Sequence, residues 1–150
     1  WYNKVTADLL ELPNAIAYYD KQIEQAKFEC AIKGNLEKQV AQLPGILEYR
    51  FNQLQEVEAI LEHMNIQYNK EFRKQYKFYL EGYQKMLSSR DAEKYAAAEI
   101  SVTDMEELKN MVALVRNKYL GIMKGIEAKN FMLGHITRLR AEGLEDVTLS

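Results

Sequence analysis

The sequence predicts an all-α protein of a few long amphipathic helices, three long and one short, in an elongated, coiled-coil-like bundle that self-associates. Three observations carry this expectation. Apolar residues recur at mixed three- and four-residue spacing along most of the 150 residues. Only seven glycines and two prolines interrupt them. No stretch alternates apolar and polar residues for long enough to make a strand. Hydrophobic residues at 47% and charged residues at 28% suit one folded domain spanning 1–150.

The first helix is expected from about Asn14 to about Ala41, on the apolar positions Ile16, Tyr19, Ile23, Ala26, Cys30, Ile32 and Leu36, with Gly34 weakening it locally. Pro44 lacks an N–H and clashes with the preceding turn. A break or sharp kink is therefore placed at Gln42–Gly45, with Pro44 in the first turn of the next helix. That second helix, about Ile46 to about Met86, carries Leu47, Phe51, Leu54, Val57, Ile60, Leu61, Met64 and Tyr68 on one stripe. Ser88-Ser89 offer caps for a short helix through Asp91–Ala98. Thr103-Asp104-Met105-Glu106 has the form of a capping box, opening a last helix to about Ala141 with Gly143 as its stop.

At about 1.5 Å per residue, the second and last helices each span on the order of 55–60 Å, against a radius of gyration of roughly 15 Å for a compact chain of this size. Apolar stripes that overhang a globule need a cover, and self-association supplies one. Gly121 and Gly125, four apart, with Ala128 beyond them, remove bulk from one face of the last helix. Two helical glycines cost up to about 1 kcal/mol each, so close backbone approach is the functional reading.

The composition also excludes functions. The longest uncharged stretch, Gln39–Leu47, falls far short of the roughly 20 apolar residues of a membrane span. The opening Trp1-Tyr2-Asn3-Lys4 has no secretory-signal pattern, and the absent Met points to a trimmed start or to a leader ahead of it. A single cysteine, Cys30, allows no internal disulfide. It reads as a small core filler in a reducing, cytoplasmic setting. His63 and His135 have no second ligand at metal-binding spacing, and Glu56, Glu58 and Glu62 read as solvated helix surface. No nucleophile elbow, phosphate loop or dinucleotide fingerprint occurs. The expectation is a non-enzyme, without cofactor, metal or catalytic residue, that works by binding partners.

The net charge is −2, but it is unevenly distributed. Residues 1–62 carry 6 basic against 10 acidic side chains; residues 68–94 carry 7 against 4, and 109–140 carry 7 against Glu127 alone. Within 68–83, Tyr68, Phe72, Tyr76, Tyr79 and Tyr83 share one helix face, while Lys70, Arg73, Lys74 and Lys77 share the other. This supports two readings. The aromatics are core and the basic residues keep the far side wet, or the basic stripe tracks a phosphate backbone with Phe78 and the helix-end tyrosines stacking on bases.

Further along, the run Ile126-Glu127-Ala128-Lys129-Asn130-Phe131-Met132-Leu133-Gly134-His135-Ile136-Thr137-Arg138-Leu139-Arg140-Ala141 resembles the closing helix of the phage recombination mediators of the UvsY family. Leu87-Ser88-Ser89-Arg90-Asp91-Ala92-Glu93-Lys94-Tyr95 is similar to the short helix preceding it there, and the resemblance extends over about residues 68–141. It places Arg73 at a family lysine and Phe78-Tyr79 at a tyrosine pair, whereas Gln75 stands at the family arginine and Asn130 at a glycine. The resemblance implies a ring-forming homo-oligomer in the host cytoplasm that binds single-stranded DNA and helps load a recombinase in place of the single-strand-binding protein. DNA would meet Lys70, Arg73, Lys74, Lys77, Phe78 and Tyr79, and assembly would use Gly121, Gly125, Ala128, Phe131 and Ile136. The rival expectation is a protein–protein module of phage origin, an assembly chaperone or an inhibitor of a host defence system, with the aromatic-basic stripe as its docking face.

Overall fold

The computed structural model describes residues 1–143, and all the regular structure in them is helical. A short helix α1 (Tyr2–Ala7) leads through a tight turn (Leu9–Glu11) into α2 (Leu12–Glu29). Two 42-residue helices follow, α3 (Leu36–Lys77) and α5 (Ile100–Ala141), joined by a π-helical turn (Phe78–Gly82) and α4 (Ser89–Ala98). None of these helices is long and apolar enough to cross a membrane.

α3 and α5 form a long antiparallel hairpin. Its seam is made by Leu43, Leu54, Val57, Ile60 and Met64 of α3 with Val112, Val115, Tyr119, Ile122, Ile126 and Leu133 of α5. Helix α2 lies on one side of the pair and inserts Leu12, Ala15, Tyr19, Ile23 and Ala26. Each fully buried aliphatic chain here contributes roughly 1.5–3 kcal/mol through removal of apolar surface from water. α1, which the periodicity does not predict, is tied down by Val5, wholly buried in the same core.

A buried polar lock sits where α2 ends. Arg50 is only 3% exposed, and it donates to both carboxylate oxygens of Glu29 at 2.9 and 2.5 Å, to Gln22 at 2.9 Å and to Gln53 at 3.0 Å. Tyr119 of α5 donates to the same Gln53 oxygen at 3.0 Å. Lys129, also buried, donates to the Glu29 carbonyl at 2.9 Å, placing a cation at the negative end of α2. Every member of the cluster has a partner, which is what makes a buried charge pair tolerable.

Three boundaries differ from the expectation. The first helix does not run to Ala41: it ends at Glu29, and the break falls at 30–35 rather than at Gln42–Gly45. Gly34 takes φ +76, and the Asn35 side chain caps α3 by accepting from the Lys38 N–H at 3.0 Å. Pro44 sits inside α3. Its missing N–H deprives only the Val40 carbonyl, and both residues lie on the solvent side, where water can take that carbonyl. The second helix stops being α-helical at Lys77, not at Met86, and Tyr83 is already extended. Finally, Thr103 caps nothing. α5 begins at Ile100, and the Thr103 hydroxyl donates back to the Ile100 carbonyl at 3.0 Å within the helix.

Two helix-end signals stand as expected. Ser88 caps α4 by accepting from the Asp91 N–H at 3.1 Å, and Gly143 ends α5 with φ +76.

Candidate nucleic-acid interface

The last turns of α3 carry the basic-aromatic segment. Lys70, Arg73, Lys74 and Lys77 are all exposed, and at roughly 100° per residue they occupy an arc of about 100° over about 10 Å of helix. None of the four makes an ion pair among the described residues. Gln75, at the position where the resembling family carries arginine, turns aside and donates to Glu71 at 3.0 Å. That hydrogen bond, with one from Ser101, holds the Glu71 carboxyl below its usual range.

The opposite side of this segment carries a ladder of rings. Tyr68 stacks on Phe72 at 6.3 Å and Phe72 on Tyr76 at 6.3 Å, all three half-buried, with Lys109 of α5 over the Tyr68 ring at 4.3 Å. Past Lys77 the π turn redirects the chain, and a second group gathers at the tip of the hairpin. Tyr79 is its centre, with ring centroids 5.1 Å from Phe78, 5.2 Å from Tyr83 and 5.4 Å from Tyr95. The Tyr79 hydroxyl donates to the Glu99 carboxylate. This bond pushes the hydroxyl's pKa up to about 12 and clamps the π turn to the start of α5.

The structure therefore separates Phe78 from Tyr79. Phe78 is 50% exposed, whereas Tyr79 is partly buried between its neighbours and touches all of them. Tyr95, half exposed on α4, joins the group although its sequence neighbourhood suggests only an acidic-basic helix. The one sequence signal for it is a tyrosine beside alanines on the helix that also buries Ala92 and Ala96.

The other basic segment, 109–140, is not a continuous basic face. Lys109 lies over Tyr68, Lys118 pairs with Asp20 at 3.1 Å, and Lys129 is turned inward to α2. Of the residues singled out for assembly, Gly125 faces inward: a Cβ there would lie 2.8 Å from Cys30 Sγ. Its close approach is made inside the chain, and burial beside it raises the pKa of the Cys30 thiol, in keeping with a core filler. Gly121 faces open space, Ala128 and Phe131 are exposed, and Ile136 is half-buried.

On the side of the hairpin away from α2, an apolar groove runs between α3 and α5. It is lined by Val40, Leu47, Phe51 and Leu54 facing Leu120 and Met123, with Glu37, Glu48, Glu127 and Arg140 at its edges.

In comparisons with protein-family models, curated proteins and solved structures, none matches this chain.

Proposed function

We propose that this chain is a non-enzymatic, single-stranded DNA-binding recombination mediator, working as a homo-oligomer that helps load a recombinase in place of a single-strand-binding protein. One observation carries the DNA-binding part: four exposed cations, without ion-pair partners among the described residues, on one arc of α3 that leads directly into a half-exposed aromatic tip. Cations spaced along one face neutralise successive phosphates without reading sequence, and exposed rings accept any base. The recombinase and the host cytoplasm come from the family resemblance of residues 68–141.

Affinity for a single-stranded oligonucleotide, titrated against salt, tests the proposal. The expected result is a steep linear fall of log affinity with log salt. The double change Arg73→Glu with Lys77→Glu should remove most of the binding, leaving thermal stability unchanged. The salt slope should flatten by about one for each phosphate that is no longer neutralised. Affinity that survives both reversals would remove the basic stripe from the interface.

The apolar groove favours a second reading, a protein-docking module. It extends from Leu36 to Leu54, about 27 Å of helix, and its three edge carboxylates, against Arg140 at one end, favour a basic amphipathic helix of a partner protein. In that case single-stranded DNA should show little affinity at any salt, while a basic amphipathic peptide binds and Phe51→Glu abolishes its binding.

A further inference from the structure

We propose that the hairpin tip is a preorganised stacking platform for an unpaired base, with Tyr95 and Tyr83 as the rings that meet it. The inference rests on the nucleic-acid reading above and specifies its ligand: a strand whose bases are unstacked from any partner strand.

Exposed rings occur elsewhere in the chain, Phe28 at 79% and Phe131 at 65%, and what marks the tip is that its exposed rings are gathered around one another. Tyr19 and Tyr119 in the core are 2% and 0% exposed. At the tip, Phe78, Tyr83 and Tyr95 are 50%, 40% and 49% exposed, beside Met86, which is fully exposed. Rings left half in water forgo much of their hydrophobic stabilisation, yet these are held in a fixed arrangement. Tyr95 stacks on Tyr79 at 25°, Tyr83 leans on both at 5.2 and 6.2 Å, and the hydroxyl of Tyr79 is held by Glu99. A flat ligand docking on Tyr95 would extend a stack that already exists, with little ordering left to be done on binding.

The surroundings define the rest of the ligand. Lys77 leads into the tip, where the exposed Lys85, Arg90 and Lys94 are interspersed with Glu81, Asp91, Glu93 and Glu99, so the positive charge that would meet a backbone lies on the Lys70–Lys77 arc next to the rings. A planar ring with a negative group a short distance away is the chemistry of a nucleotide. Base faces are hidden inside a duplex and open in a single strand, so a stacking platform favours the single strand irrespective of sequence.

The experiment compares an oligothymidine with an abasic oligonucleotide of the same length and backbone charge, using the whole chain. The base-bearing strand should bind more tightly, by about 5- to 150-fold for each stacked base. Tyr95→Ala and Tyr83→Ala should each reduce that preference while leaving abasic affinity unchanged, and Tyr95→Phe should retain it. A 2-aminopurine placed in the strand should be quenched by the parent protein and less so by Tyr95→Ala. Equal affinity of the unaltered protein for the two strands would overturn the platform and leave backbone binding intact. Failure to bind either strand would sink both readings.

Discussion

Gly125 and Gly121 look alike in sequence and are opposites in space. Leucine at 125 must displace Cys30, an overpacking of about 1–3 kcal/mol, which predicts a fall in Tm of several degrees by calorimetry, partly relieved by Cys30→Ala. A Cβ at 121 meets nothing in the chain, so a side chain there should not destabilise the single-chain fold, and helix propensity should favour it by up to about 1 kcal/mol. Arg50→Ala is the severest single change expected. It leaves the Glu29 carboxylate, 26% exposed, without its cation beside Gln22 and Gln53, at roughly 3 kcal/mol, the low end for a buried pair because water reaches the carboxylate, visible in a denaturant midpoint.

The Tyr79–Glu99 hydrogen bond adds a pH signature. The folded state favours the neutral tyrosine, because its pKa is raised from 10.0 to about 12. The stabilisation is therefore complete below pH 10 and is lost as pH rises through 12. Glu99→Ala should melt below the parent protein at about pH 9, with the gap closing toward about pH 12.

At the scale of elements, the loop at 30–35 shows a competition between two helix breakers. Gly34 needs a left-handed backbone and Asn35 caps the next helix, so together they stop α2 and start α3 within a few residues. Pro44 lies on the solvent side of a long helix, and it is carried by the seam that α3 makes with α5. Asn35→Ala should lower stability by about 1 kcal/mol through loss of the cap. Pro44→Ala should raise it, by up to about 3 kcal/mol, because the Val40 carbonyl regains its helical partner. Chemical denaturation of the two variants decides between them: a stability loss at Pro44→Ala would mean that the proline positions the groove rather than merely being tolerated. The same competition explains Thr103, whose box-like spacing is outweighed by a chain break one turn earlier at Glu99.

For the whole molecule, the hairpin presents a line of exposed apolar and small residues that no other part of the described chain covers. Leu114, Gly121, Ala128, Met132 and Leu139 lie within about 40° on the outer face of α5, at heptad and half-heptad spacing. This line supports self-association, with Gly121 and Ala128 allowing a second helix to approach. Gly121→Leu should lower the assembly state in light scattering while circular dichroism stays unchanged. A monomeric parent protein would remove the basis for assembly on this face.

Fold class, the existence of the long helices and the two-sided character of residues 68–77 were all present in the sequence, because each depends on periodicity and local chemistry along one helix. Tyr79 and Tyr83 do not share that helix face, because α3 ends at Lys77 and the π turn redirects the chain. The helix ends at Ser88 and Gly143 were legible for the same reason: a cap acts within one turn. What the sequence left open depended on residues far apart in the chain. Only packing decided that Gly125 faces Cys30, that Lys129 and Arg50 turn inward around Glu29, and that Lys109 and Lys118 of α5 are engaged by Tyr68 and Asp20. Tyr95 likewise reaches Tyr79 only because the π turn folds α4 back against the tip, and Glu99 is set by the same arrangement. Periodicity tells which face of a helix is apolar. It takes a second helix to determine which of the remaining polar and small residues stay free to meet a partner.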